Sequence, residues 1–291
     1  CPLLDVFRQQ PHAKATVNIN GVLTELLWEH GMREVIDGLK ELAEKGQIEF
    51  TGTAKYHPIL PLIPRPEMRR QIRRNYLTNY HFFGNLYAPQ GFFPPEMAYS
   101  REILEPVAEF HHRWVLLSGV AAPDQWPLDF VPEIMVDNQS IAVFFRDDIL
   151  SNKISFQNVD SAGFLQELRT LKGDKENIYV VTAMDAETFG HHVQNWDKLF
   201  LAEVYEALQL IPSYADLHQH ADLSRQHSRL LSPSEDQAKE IQVVTISQLL
   251  DLFPHRPIAE TRTSSWSTYR EDIDRGAPFP LSKGNNKRIQ Q

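Results

Sequence analysis

The chain contains one cysteine, Cys1, in 291 residues. A single thiol cannot form an internal disulfide, and that composition leans towards a reducing compartment, so a cytoplasmic location is expected. No apolar run approaches the ~18 residues of a membrane-spanning helix, so no membrane partner is expected. No signal-peptide pattern is visible. An excess of positive charge is absent as well. The formal net charge is −9, which disfavours a nucleic-acid backbone as the main partner. The one basic cluster, MRRQIRR (68–74), has the spacing of a solvated helix face, with a phosphate or anionic-glycan contact as the other reading. Several signature loops are also lacking: there is no G-x-S-x-G, no P-loop and no G-x-G-x-x-G. No H-x-x-x-H or cysteine spacing marks a metal site.

What is present is ordinary soluble-protein material. Hydrophobic residues make up 42% and charged residues 23%, enough to bury a sizeable core. A single domain over residues 1–291 is expected. Alternating β-branched ATVNI (15–19), QIEFTGT (47–53), RWVLLSG (113–119), IAVFFRD (141–147), IYVV (178–181) and IQVVTI (241–246) read as strands. Between them lie runs with apolar residues at helical spacing, among them VLTELLWEHG, MREVIDGLKELAEKG, PEMRRQIRRNYLTNYHFFG, SREILEPVAEF (bent or divided at Pro106), SAGFLQELRTL, NWDKLFLAEVYEALQL and ISQLLDLF. This alternation predicts an α/β fold with mostly parallel strands and helical crossovers. Residues 212–240 are polar and His-rich and read as an insertion or flap. The chain opens in what reads as mid-helix (PLLDVFRQQ) and stops at SKGNNKRIQQ, so a piece of a longer protein is expected.

In parallel α/β folds, sites gather at the carboxyl ends of strands. Polar residues stand at several such ends here: His57 after QIEFTGT, Glu96 after GFFPP, Arg146, Asp147 and Asp148 after IAVFF, Asp185 and Glu187 after IYVVTAM, and Ser264, Ser265 and Trp266 after the last strand. Glu96 sits in the apolar stretch GFFPPEMAYS, where Pro-Pro fixes the backbone and a buried carboxylate is costly without a purpose. A loop glutamate paired with Arg101 is the plainer reading. Asp185 could equally cap a helix, with Glu187 in its first turn. His191 and His192 are adjacent, and adjacent side chains on an extended chain point opposite ways, so both rarely hold one ion. A metal site would have to combine Asp185, one histidine and the distant His57. Trp126, Trp196, Trp266, Phe92, Phe93, Tyr56 and Tyr99 are scattered near the proposed strand ends, although such aromatics are more often core. Carboxylates with aromatic faces suit sugar rings, which offer apolar C–H faces and hydroxyls. A carboxylate pair of this kind points to glycoside chemistry.

The segments KGQIEFTGTAKYHPILPLIP, GFFPPEMAYS, AMDAETFGHH and SSWST, in that order and with FFRDDILSNKISF between them, resemble the signature regions of glycoside hydrolase family 57. That family comprises α-amylases, 4-α-glucanotransferases and branching enzymes. The resemblance implies an incomplete (β/α)7-type barrel, an α-glucan or oligosaccharide substrate, and a retaining mechanism without cofactor or metal. By position it makes Glu96 the nucleophile and Asp185 the general acid/base. His57, Glu187, Trp266, Tyr99, His191 and Arg146 become substrate-binding candidates. It implies carboxyl groups ~5–5.5 Å apart. The family's first region, with a His and Gln-Pro on the first barrel strand, has no counterpart here, and the C-terminal helical region is missing past Gln291, so an inactive fragment is possible. Two other function classes stay open: a metal-dependent mannosidase- or deacetylase-like enzyme on a related barrel, and a carbohydrate-binding relative without turnover.

Overall fold

The computed structural model describes residues 1–123, 128–209 and 241–279. Trp126 and the 212–240 segment lie outside the described residues. The centre is a run of parallel strands. Strand β1 (Ala15–Val17) pairs with β2 (Ile48–Phe50) in parallel. A parallel bridge, Gly52 to Phe92, carries the run on to β3 (Gly91–Phe92), which pairs with β4 (Trp114–Ser118). An antiparallel strand β5 (Val131–Val136) precedes β6 (Gln139–Arg146), and β6 pairs with β4 in parallel from Trp114↔Ala142 to Ser118↔Arg146. A further parallel bridge, Arg146 to Val181, brings in the segment before Asp185. His57, Glu96, Arg146 and Asp185 therefore follow the carboxyl ends of neighbouring parallel segments. No helix among the described residues is long and apolar enough to cross a membrane.

The strands read as buried are buried. All five residues of β4 and the last six of β6 are inaccessible, as expected when helices cover both faces of a parallel sheet. Helices α1 (Pro2–Gln9), α2 (Gly21–Glu29), α3 (Arg33–Glu44) and α4 (Arg65–Phe83) follow the predicted periodicity. Asn20 starts α2 by accepting the Leu23 amide at 2.8 Å. Pro66 lies in the first turn of α4, where a missing amide proton costs little. The basic face of α4 is ion-paired: Arg69 grips Glu109 through two bonds of 2.5 and 2.6 Å.

One reading is sharpened and two change. SREILEPVAEF divides before Pro106, into a 3-10 turn over Arg101–Ile103 and helix α5 (Leu104–Glu109). Pro106 then sits in the first turn of α5, where its amide would have had no intrahelical acceptor anyway. Among the described residues IYVV is not laddered along its length; it makes the bridges Leu128–Tyr179 and Arg146–Val181. IQVVT forms no strand, and the helix Ile246–Leu252 follows, with Thr245 and Gln248 forming its capping box. Short apolar runs do not distinguish a strand from another buried segment by pattern alone. The antiparallel hairpin β5–β6 and the short strand β7 (His255–Pro257), parallel to β5, were not read from the sequence. The hairpin turns at Asp137–Asn138, with Asp137 at φ 51°, which suits Asp and Asn better than most residues.

Candidate active site

Glu96 follows β3 directly and is built into its place. Pro94 and Pro95 fix the approach, and then two successive residues, Glu96 (φ 59°) and Met97 (φ 47°), take the left-handed conformation. Non-glycine residues held there cost about 1–3 kcal/mol each and persist only when surroundings impose them. The surroundings are visible. The Met97 amide donates to the Pro94 carbonyl at 2.8 Å and the Met97 side chain is fully buried. Tyr99 and Ser264 exchange both backbone hydrogen bonds, at 2.8 and 3.1 Å, so the SSWST segment straps the loop from outside. The Trp266 amide donates to the Glu96 carbonyl at 3.1 Å.

The strap also delivers a side chain. Trp266 Nε1 donates to Glu96 Oε2 at 2.8 Å, and His57 Nε2 lies 2.9 Å from Oε1. An ionised carboxylate only accepts, so His57 is the donor in that state. The hydrogen bond from His57 holds the Glu96 carboxyl below the usual glutamate range; partial burial opposes it and the Trp266 bond assists. The plainer reading of Glu96 as a partner of Arg101 does not hold, because Arg101 donates to the Met135 carbonyl at 2.9 Å.

Asp185 is placed differently. It stands at the head of a single 3-10 turn, Ala186–Thr188, with φ −64° and ψ 137°, and its side chain makes no capping bond. Among the described residues none donates a hydrogen bond to its carboxylate, so the helix-cap reading fails. Desolvation by the surrounding protein raises its pKa, the nearby negative charge of Glu96 raises it further, and Glu187 adds to that; His192 and His57 pull the other way. Asp185 is solvent-exposed on one side, which tempers the shift without changing its sign. The charge of Glu96 thus reaches Asp185, and the two carboxyls are shifted in opposite directions.

The other candidates separate. His57 and Trp266 join Glu96. Glu187, His191 and His192 form their own exposed cluster: the Glu187 carbonyl accepts both histidine amides, at 3.1 and 2.7 Å, and Glu187 Oε2 is 3.0 Å from His192 Nε2 and 4.0 Å from His191 Nδ1. The chain is turned rather than extended here, so both rings face one carboxylate, contrary to the sequence expectation. Their donor atoms lie within 4.8 Å of one another. The combination of Asp185, a histidine and His57 is not brought together as a ligand set among the described residues. Tyr99 is 1% exposed and backs the Glu96 loop from the core. Arg146 is also buried and faces inward, with its Nη1 2.7 Å from Asp148 Oδ1. Asp147 caps helix α6 (Asp148–Ser155), accepting the Leu150 amide at 2.9 Å. Sequence reasoning missed Ser151, whose hydroxyl accepts the Ala183 amide at 3.1 Å just before Asp185; a serine within a helix carries no signal of that contact.

Comparison with known proteins decides the family. A family model for Glycosyl hydrolase family 57 matches residues 3–249. The chain belongs to glycosyl hydrolase family 57. A curated alpha-amylase of Pyrococcus abyssi is 29% identical over 196 residues, covering 65% of this chain and 28% of the relative. The chain therefore spans under a third of that protein's length. The crystal structure of the 4-alpha-glucanotransferase from Thermococcus litoralis superposes with a TM-score of 0.70 at 21% identity, over 91% of this chain and 38% of that one. A GH57 branching enzyme from Thermococcus kodakaraensis, solved with glucose, gives 0.64 at 15% identity, over 95% and 70%. These two likenesses show that the family 57 chain shares their fold.

Proposed function

We propose that this family 57 chain carries the catalytic centre of a retaining enzyme acting on α-glucans, a hydrolase or a glucanotransferase, with Glu96 as nucleophile and Asp185 as general acid/base. The observation that carries the reading is the opposite displacement of two coupled carboxyls. Glu96, hydrogen-bonded by His57 and Trp266, is shifted towards its ionised form; Asp185, partly desolvated and near that charge, is shifted towards its protonated form and accepts no hydrogen bond among the described residues. Environments that push two titratable groups apart assign the acid and the base. The resemblance of GFFPPEMAYS and AMDAETFGHH to the family's signature regions assigns the same two residues.

In the first step a Glu96 oxygen attacks the anomeric carbon. The glycosidic C–O bond breaks, its electron pair goes to the leaving oxygen, and that oxygen takes the Asp185 proton. In the second step Asp185, now a carboxylate, takes a proton from water or from an acceptor sugar hydroxyl, whose oxygen displaces Glu96 from the anomeric carbon. Trp266 and His57 aim Glu96, and the Trp266 ring, set edge-on to Phe93 with centroids 6.3 Å apart, is the aromatic face we assign to the sugar. The test is product analysis with the full-length protein on maltoheptaose and amylose, with the anomer followed by proton NMR as it forms. The α-anomer as first product supports the reading, with short products indicating hydrolysis and longer ones transfer. A β-anomer as first product, or no turnover of any α-glucan, would overturn it.

A further inference from the structure

Arg146 was a candidate for touching substrate, yet its side chain is only 5% exposed. Its position at the carboxyl end of β6, one bridge from Val181, gives it another task. Its Nε donates to the Ala183 carbonyl at 2.7 Å, Nη1 to Asp148 Oδ1 at 2.7 Å, and Nη2 to Asn152 Oδ1 at 3.0 Å. Asp148 in turn accepts from Ser118 Oγ at 2.9 Å and the Val120 amide at 3.1 Å. The guanidinium is therefore clamped between the ends of β4 and α6, and spends its remaining direction on the backbone two residues before Asp185. Ser151 takes the other polar group of Ala183, and the Asp147 amide donates to the Val181 carbonyl at 2.7 Å.

This compensates for something the fold lacks. Among the described residues the segment leading to Asp185 has no continuous ladder, only isolated bridges, so side chains take over part of the pairing that would otherwise fix its direction. Beyond Ala183 nothing polar among the described residues holds the Asp185 carboxylate. Its aim depends on where Ala183 is held.

We propose that Arg146 is a positioning residue for proton donation, acting through the Ala183 carbonyl to aim Asp185 at the leaving oxygen. The inference rests on the assignment of Asp185 as general acid. A planar guanidinium serves three acceptors in fixed directions, which lysine, a flexible point charge, does not reproduce. Misplacement by about 1 Å costs a catalytic group on the order of 10²-fold.

A leaving group that needs no proton separates this role from general structural damage. Wild type, R146K, R146M and D185N are compared by kcat/KM on maltoheptaose, whose leaving sugar must be protonated, and on α-maltotriosyl fluoride, whose fluoride leaves with little acid assistance. The ratio of the two values is independent of the fraction of enzyme that is folded, so a poorly folding R146M remains informative, and R146K supplies the mild variant. The expected result is a fall of roughly 10- to 10²-fold on maltoheptaose, with the fluoride nearly unaffected, in the same direction as D185N. Equal losses on both substrates for the Arg146 variants, with D185N still selective, would overturn the positioning role alone, as would unchanged kinetics in both variants. Equal losses for D185N itself would overturn the general-acid assignment and the inference with it.

Discussion

The two halves of the site are built on opposite plans. Glu96 is fixed from every side: a Pro-Pro approach, two left-handed residues, a strap that exchanges backbone bonds across Tyr99 and Ser264, and two side-chain donors on its carboxylate. Among the described residues, Asp185 is fixed at its base, through Ala183, and its carboxyl stands without a donor on a short turn. The contrast has a chemical logic. A nucleophile must remain ionised and hold one line of attack, which hydrogen bonds to the charged form achieve. A residue that gives a proton and later takes one back is better left without donors, because each donor would favour the carboxylate and weaken it as an acid.

The largest effects should come from removing each carboxylate in turn. Glu96→Gln should lower kcat by roughly 10⁴-fold or more, because no covalent intermediate forms. Asp185→Asn should cost roughly 10²–10⁴-fold, the usual worth of general acid–base catalysis. Both should still bind maltoheptaose in calorimetry. Wild-type turnover in either variant would end the assignment.

The rigid half can be disturbed without touching a charge. A Cβ at Gly91 would lie 1.8 Å from Trp114 Cε2, and Trp114 is fully buried with its Nε1 donating to Ser247 Oγ at 2.9 Å. Gly91→Ala must push that ring aside, and overpacking of this kind costs about 1–3 kcal/mol. Thermal unfolding should show a clear fall in Tm, with activity lost at lower temperature than in wild type. An unchanged Tm would mean that the β3–β4 contact is not as close as described.

These elements differ in how far the sequence exposes them. β4 and β6 were legible because continuous apolar runs behave in one way when covered on both faces. The helices were legible from periodicity and, for α4, from Pro66 in the first turn; the Asn20 cap was not read. Glu96 was visible as an oddity, a carboxylate in an apolar, proline-fixed stretch, but composition left a loop ion pair open, and only its companion motifs argued otherwise. The strap from Ser264 to Trp266 joins residues ~170 apart along the chain, and no local pattern encodes such a contact. The same holds for Ser151 and for the inward turn of Arg146. The histidine pair was misjudged because an extended backbone was assumed where Gly190, at φ 112°, lets the chain fold back on Glu187.

The donors on Glu96 can be tested by pH dependence. As the proposed nucleophile Glu96 must be ionised to attack, so kcat/KM should fall as pH drops through its pKa, and a depressed pKa should set that acid limb below the ordinary glutamate position. His57→Ala and Trp266→Phe each remove a group that lowers it, so both should move the acid limb upward. The shift should be larger for His57→Ala, since that hydrogen bond is the leading cause. Acid limbs that coincide with wild type would remove both residues from the tuning of Glu96.

The smallest effect should come from the exposed half. As the proposed general acid Asp185 must be protonated to donate, so activity should fall as pH rises through its pKa, and a raised pKa should carry the alkaline limb above the ordinary aspartate position. Glu187 contributes to that elevation after burial and Glu96. Its side chain is 64% exposed, so water and salt screen its charge. Glu187→Gln should therefore move the alkaline limb slightly downward and leave the acid limb in place. His192→Ala removes a group that pulls Asp185 the other way and should move the same limb upward. Opposite displacements from two neighbours in one turn are hard to obtain from altered folding, which would shift both variants alike. Coincident alkaline limbs in all three proteins would mean that burial and Glu96 alone set the acidity of Asp185, and that the turn after it has no part in the chemistry.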